Sequence, residues 1–199
     1  MAAPQILVNE YRGDTLECFH YGSIAICDEK GLVRSVGDAD FMCYYRSSSK
    51  PIQALPFLVL GLDKKYGLTD EEISIMSGSL WCGPRQMELV KSIMEKADIS
   101  YDTLIMQPCY PMGHDYELKL VAAGEKPSRL YHNCIGKHLS LILVQRELGD
   151  ERDYYKPDSA VQRMILRDIA EFSDFPEQQI RIGVDGCGVP VFAVPLHNM

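Results

Sequence analysis

The hydrophobic pattern of the chain changes its period near residue 49, and this change constrains the fold most strongly. The first forty residues alternate apolar and polar side chains, as in QILVNEY and CFHYGSIAICD, with a turn-like EKG before LVRSVGD. This alternation predicts an antiparallel sheet arranged as a β meander. After residue 49 the apolar positions follow helical spacing. Strands followed by helices indicate one α+β domain over residues 1–199.

Caps, prolines and glycines divide the rest of the chain into elements. Helices are predicted over residues 48–62, 69–76, 84–98, 116–123, 138–148 and 159–174, and strands over 179–185 and 189–196. No further element follows to cover the last predicted strand. Because this leaves an open sheet edge and an apolar face, we expect the chain to associate with a second copy of itself, as a homo-oligomer.

Composition and charge narrow the class of partner. The 199 residues are 46% hydrophobic and carry a net charge of −8, with scattered basic residues, which argues against nucleic acid. No apolar run approaches about 18 residues and the N-terminus lacks a basic leader, so we expect a cytoplasmic protein without a membrane partner. Seven widely spaced cysteines predict buried thiols and one reactive or metal-binding set rather than disulfides.

A serine and a lysine lie three residues apart where the apolar helix is predicted to begin. Ser47 and Lys50 would share one helix face, as a nucleophile and its base require. The helix N-terminus would stabilise a developing anion and lower the lysine pKa. Taken alone the spacing is weak, because Ser47 to Ser49 also suit helix capping with a solvated lysine.

Two further segments concentrate reactive side chains. HNCIGKH, residues 132–138, opens a predicted helix, where the dipole and Lys137 favour a thiolate at Cys134; its bland interpretation is a polar helix entry with one core cysteine. DGCG, residues 185–188, follows a strand and is either a tight turn that presents Cys187 to a cleft or a plain hairpin turn. Cys134 and Cys187 with one N or O ligand suit zinc, although no Cys-x-x-Cys spacing compels a metal.

These motifs together resemble successive signatures of the type II L-asparaginase family (Rhizobium etli inducible asparaginase-like). The matching segments, in order, are RSSSKPIQ, SGSLWCGPRQ, LYHNCIGKH, DSAVQRMI and VDGCGVPVFAVPL, and the resemblance extends from about Ile6 to the end. It implies an antiparallel sheet beside a helical cluster, similar to the serine β-lactamase and glutaminase architecture. It also implies hydrolysis of a small amino acid amide.

The resemblance implies roles for individual residues. Ser47 and Lys50 correspond to one Ser-Lys pair and Ser79 to the serine of a second pair, whose lysine lies in a C-terminal portion of the family beyond Met199. The implied zinc ligands are Cys134, Lys137 and Cys187. The residues expected around the substrate are Arg46, Asp185, His138 and Asn133.

Departures from the family pattern keep alternatives open. Leu80, Trp81, Cys82 and Gly83 stand where the family usually has a polar run, and Ile135 and Gln86 replace a serine and a histidine. The leading hypothesis is an L-asparaginase-like amidohydrolase. The alternative is a catalytically degenerate relative that binds zinc, a small ligand or a partner without turnover. A penicillin-recognising hydrolase ranks last, because Ser-Asp-Asn and Lys-Thr-Gly elements are missing.

Overall fold

A computed structural model describes residues 3–199 and confirms the α+β class. Its strands are β1 (Gln5–Arg12), β2 (Thr15–Gly22), β3 (Ile24–Asp28), β4 (Gly31–Val36), β5 (Met42–Tyr44), β6 (Arg181–Val184) and β7 (Pro190–Pro195). Its helices are α1 (Lys50–Val59), α2 (Leu62–Lys65), α3 (Asp70–Ser74), α4 (Pro84–Lys96), α5 (His114–Ala122), α6 (Ile135–Glu147) and α7 (Ala160–Ser173). None of these helices is long and apolar enough to cross a membrane.

The N-terminal strands form two separate hairpins, so the predicted continuous meander is wrong. β1 pairs with β2 and β3 pairs with β4, each pair antiparallel and in its own two-stranded sheet. Only Ser23 lies between β2 and β3, whereas a hairpin needs about two loop residues to reverse the chain. The chain therefore continues into β3 without turning back against β2.

Both hairpins leave large apolar side chains in contact with solvent. Ile6, Val8, Tyr11, Phe19, Tyr21, Ile26 and Val33 are all at least 45% exposed. Isolated two-stranded hairpins are marginally stable in water, and an apolar surface of this kind is typical of interaction sites. Association with a second copy nevertheless stays a prediction.

The last strand is covered, contrary to the sequence prediction. β7 lies between β5 and β6 in a three-stranded antiparallel sheet, and all six of its residues are buried. Helix α7 packs against it. The prediction of an open edge at the last strand is therefore wrong. Strand β5, which precedes the helices in the chain, pairs with β7 and covers that edge.

Helix α6 is the centre of the core. Its first eleven residues, 135–145, are all buried, and it contacts α1, α4 and α7. Gly136 lies so close to a neighbouring segment that a Cβ atom there would be 2.0 Å from the Ile75 carbonyl oxygen. The glycine is therefore what allows α6 to approach that backbone.

The apolar run at the first helix is divided into shorter pieces than predicted. A 3-10 turn, Arg46–Ser49, precedes α1, which ends at Val59 rather than at residue 62. Gly61 adopts a left-handed conformation with φ 66°, which ends α1 and starts the short helix α2. This arrangement places Ser47 just before α1 and Lys50 at its first position.

A buried carboxylate fastens α3 to α4. Glu72 is 2% exposed, completes a capping box with Thr69, and accepts hydrogen bonds from Ser92 Oγ at 2.6 Å and Lys96 Nζ at 2.7 Å. Burial alone would raise the pKa of Glu72, but the hydrogen bonds from Lys96, Ser92 and Thr69 outweigh it and hold the pKa at about 2.

We expect acid to weaken the fold through Glu72. Since the folded pKa lies below the unfolded value of 4.5, its stabilisation is complete above pH 4.5 and is lost as the pH falls towards about 2. Glu72→Gln should cost about 3 kcal/mol at neutral pH, measured by urea unfolding, and should flatten stability across that acid range. Glu95→Gln, an exposed change on α4, is the control. An equal loss in both variants would contradict this assignment.

Candidate functional site

Four segments that are distant in sequence converge beside helix α6. They are the 3-10 turn Arg46–Ser49 before α1, the loop that carries Gly78 and Ser79, the entry to α6 at residues 132–134, and the β6–β7 turn at residues 185–188. The turn is a tight hairpin, with the Gly188 amide donating to the Asp185 carbonyl at 2.9 Å and Gly188 at φ 91°. Three of the sequence motifs therefore meet in one place.

Arg46 enters the site from a strained backbone position. Its φ is 51°, in the left-handed region, which costs a residue with a side chain about 1–3 kcal/mol. The Arg46 side chain is 69% exposed, and its Nε donates to Asp185 Oδ1 at 3.0 Å. The fold therefore accepts strain that holds a guanidinium beside the β6–β7 turn.

Lys50, the first residue of α1, is fully buried. Its Nζ donates to Ser79 Oγ at 2.9 Å, to the Gly78 carbonyl at 3.1 Å and to the Asn133 carbonyl at 3.4 Å. Burial lowers its pKa, and the nearby Cys134 opposes that shift. The amine is thus fixed in place by three acceptors and is easier to deprotonate than a solvated lysine.

The two predicted nucleophilic serines differ in their contacts with Lys50. Ser79 is exposed and shares a hydrogen bond with the amine, whereas Ser47 is exposed and makes no hydrogen bond to Lys50 among residues 3–199. Ser47 instead lines a cleft. The pairing of Ser47 with Lys50 stays a prediction.

That cleft has a volume of about 190 Å³ and contains most of the residues expected around a substrate. Its lining residues are Arg46, Ser47, His132, Asn133, Cys134, Asp185, Gly186 and Cys187. A second cleft of about 280 Å³ adjoins it and shares Arg46, Asp185 and Gly186. Two larger hollows, of about 600 and 620 Å³, are lined partly by hairpin residues and include none of the predicted site residues.

Two cysteines, an aspartate and a lysine form a buried cluster at the back of the cleft. Ligand atoms of Cys134, Asp185 and Cys187 all lie within 4.8 Å of one another, and Lys137 Nζ is 3.5 Å from Asp185 Oδ2. Burial raises the pKa of Asp185, but Lys137, the Gly186 amide and Arg46 outweigh it and lower the pKa. Asp185 is therefore an anion that pairs with two cations, the buried Lys137 and the exposed Arg46.

The pKa values of the two thiols are shifted in opposite directions. A hydrogen bond from Cys187 lowers the pKa of Cys134 to about 6 although burial opposes it, and Lys137 and Lys50 assist. The same bond, together with burial, raises the pKa of Cys187 to about 11. Cys134 also sits at the N-cap of α6, where the helix dipole favours a thiolate.

The donor set of this cluster fits zinc. Two sulfurs and an amine, with a carboxylate beside them, are buried together, and thiolates balance the charge of a divalent ion. His138 is fully buried, with Nδ1 2.9 Å from Tyr154 Oη and an Nε2 that has no hydrogen-bond partner in residues 3–199. Burial lowers the pKa of His138, and Cys187 opposes that shift. Cys134, Cys187 and Asp185 are close enough to hold an ion together, and Lys137, the third ligand that the resemblance implies, lies 3.5 Å from Asp185.

The structure separates some predicted site residues from the cleft and adds others. His138, Lys137, Lys50 and Ser79 do not line it, so direct contact of His138 with substrate stays a prediction. His132 and Gly186 line the cleft but were not predicted as site residues. His132 Nδ1 accepts a hydrogen bond from the Cys134 amide at 3.1 Å. Its place within HNCIGKH was the available signal.

A comparison with known protein families identifies the family of this chain. The sequence model of the L-asparaginase II family matches residues 8–199, almost the whole chain. The chain belongs to the L-asparaginase II family. A search of curated proteins found no match.

Proposed function

We propose that this chain is an L-asparaginase-like amidohydrolase of the Rhizobium etli type, which releases ammonia from the side-chain amide of asparagine. The observation that carries the proposal is the buried Lys50 amine, whose pKa is lowered by burial. This amine donates to Ser79 Oγ and to the carbonyl of Asn133, a residue that lines the small cleft. A desolvated amine is a competent base for a serine nucleophile near neutral pH. Membership of the family supports the same reaction.

The charges of the cleft suit a free amino acid. Arg46 and Asp185 both line the cleft and form an ion pair at 3.0 Å. A zwitterion placed between them would give the guanidinium an α-carboxylate and the aspartate an α-ammonium, so each charge keeps an opposite partner. The volume of about 190 Å³ restricts the substrate to a small molecule.

In the proposed reaction, Ser47 is the nucleophile because it lines the cleft, whereas Ser79 does not. Neutral Lys50 takes the Ser47 proton while Oγ attacks the amide carbon, and backbone amides at the helix start stabilise the oxyanion. Lys50 then returns the proton to the departing ammonia. Water hydrolyses the aspartyl ester and releases aspartate. Ser79 holds the Lys50 amine in position between these steps.

We propose that Cys134, Lys137 and Cys187 bind zinc behind the cleft. The bound ion would supply fixed positive charge near the substrate. In this chain the same residues hold Asp185 in place, since Lys137 pairs with its carboxylate and Cys187 contacts Oδ2 at 3.7 Å. The orientation of the residue that would receive the α-ammonium therefore depends on this cluster.

Three of the six substitutions that depart from the family pattern lie in the core, whereas Trp81 is 63% exposed. Leu80, Cys82 and Ile135 are no more than 3% exposed, and none of them lines the cleft. Gln86 Oε1 accepts a hydrogen bond from the Cys82 amide at 2.9 Å. None of the six substituted positions lines the cleft, which favours retained catalysis over the degenerate alternative.

The test is ammonia release from L-asparagine by the purified chain, with and without zinc. We expect Ser47→Ala to lower kcat by about 10³-fold or more, as loss of a nucleophile does. Ser48→Ala is the matched control, because Ser48 is exposed, bonds back to the Tyr45 carbonyl at 2.6 Å and does not line the cleft. Both variants should keep the wild-type circular dichroism spectrum.

Other outcomes would redirect the proposal. Inactivity of Ser79→Ala with activity in Ser47→Ala would make Ser79 the nucleophile. A folded, zinc-loaded wild-type chain that releases no ammonia would favour the degenerate relative that only binds.

A further inference from the structure

A second group of metal-ligand side chains lies on the first hairpin, remote in sequence from the cleft residues. Glu10 on β1 is directly opposite Cys18 on β2, and His20 lies two residues further along the same face. His20 Nε2 is 2.6 Å from Glu10 Oε1, and Cys18 Sγ is 3.4 Å from Glu10 Oε2. All three ligand atoms lie within 4.8 Å of one another.

The backbone of the hairpin is irregular on both sides of this group. The register of β1 and β2 shifts between Ile6 and Val8 and again between Glu10 and Tyr11. Such bulges interrupt the ladder and redirect side chains, and they are enriched next to functional sites. A regular ladder would suffice for a plain hairpin. The bulges are therefore an independent sign that the direction of Glu10 matters.

We propose that Glu10, Cys18 and His20 form a surface site for a divalent transition metal of the zinc type. A thiolate, an imidazole and a carboxylate are a mixed S, N, O set, which suits zinc and cobalt and does not suit magnesium. Ligands of one tetrahedral zinc, bound at about 2.0–2.3 Å, lie about 3.3–3.8 Å apart, so modest side-chain rotation closes the site. The Cys18 proton leaves to solvent as the ion binds.

The exposure of the group decides what kind of site it is. The Glu10 and His20 side chains are each 56% exposed, so an ion reaches them directly and water completes its coordination. Without an ion, an exposed His–Glu pair contributes little to stability, which leaves the convergence of three ligand types unexplained. An ion held by both strands would instead fasten a hairpin that has two exposed faces.

Cobalt titration of the whole chain tests the proposal, because a cobalt–thiolate bond absorbs in the near ultraviolet. Wild-type protein is compared with Cys18→Ser, His20→Gln and the control Cys27→Ser, which removes an exposed thiol from the other hairpin. We expect wild type and Cys27→Ser to bind one more cobalt than Cys18→Ser. His20→Gln should lower the affinity for that additional cobalt ion at least about 10-fold, because loss of even an outer-shell partner lowers metal affinity on this scale. Magnesium should not compete.

Each contrary result is informative, since the substituted residues are solvent-accessible and the variants should fold. Equal cobalt number and affinity in wild type and Cys18→Ser would overturn the site. Loss in Cys18→Ser with full affinity in His20→Gln would mean that the thiol alone captures the ion, which also overturns it. Ammonia release does not enter this test, so its outcome is independent of the proposed hydrolase function.

Discussion

Replacing Lys50 with methionine is expected to lower kcat for ammonia release by about 10³-fold or more while the protein stays folded. Methionine has a similar length but no amine, so no base remains to take the serine proton. Removal of a buried charge also removes its desolvation cost, which offsets the loss of hydrogen bonds to Gly78, Ser79 and Asn133. The measurements are steady-state kinetics and urea unfolding of both proteins.

The pH profile distinguishes a base from a structural cation. Because burial lowers the pKa of Lys50 from 10.5, kcat/KM of the wild type should rise with pH toward that lowered value, as the neutral amine becomes available. Any residual activity of Lys50→Met should lack this rise. Activity within tenfold of wild type, with an unchanged profile, would show that Lys50 is not the base.

Gly136→Ala is expected to cause the largest loss of stability of any single methyl addition in the chain. The new Cβ would lie 2.0 Å from the Ile75 carbonyl oxygen and 2.7 Å from its carbon, so α6 must move away from backbone atoms. Overpacking against atoms that cannot rotate away should cost about 3 kcal/mol or more. A shift of α6 would also displace Cys134 and Lys137, so affinity for the proposed zinc ion should fall with stability.

Urea unfolding measures the effect of Gly136→Ala, and Gly83→Ala is its matched control. Gly83 has an ordinary φ of −67°, and a Cβ there meets nothing within 4 Å. Because Gly83 is the N-cap of α4 and glycine is preferred to alanine at that position, its substitution should cost up to about 1 kcal/mol, well below the loss expected for Gly136→Ala. If the two variants unfold at the same urea concentration, the close approach of α6 to Ile75 is not a constraint on this fold.

Local patterns predicted the elements well but not their partners. The alternation of the first forty residues identified strands, yet the single residue between β2 and β3 determines that they form two hairpins. The continuous apolar run of the last strand is typical of burial on both faces, and β7 is indeed the central strand. Its neighbour β5 lies about 150 residues earlier, a pairing that no local pattern encodes.

The same limit applies to the site. The sequence identified Ser47, Lys50, Cys134 and Cys187 as reactive candidates, and the fold brings their segments together. It did not reveal that Lys50 donates to Ser79, 29 residues away, or that the buried His138 lies near Cys187. Spacing reports which side chains share a helix face, whereas contacts between loops depend on tertiary packing.

The most direct test of the central claim is to label the nucleophile with a diazoketone analogue of L-asparagine and to locate the adduct by peptide mass spectrometry. We expect one adduct per chain on Ser47, which is lost in Ser47→Ala, retained in Ser48→Ala and formed more slowly in Lys50→Met. An adduct on Ser79 or on a cysteine, or no adduct in a chain that releases ammonia, would contradict it.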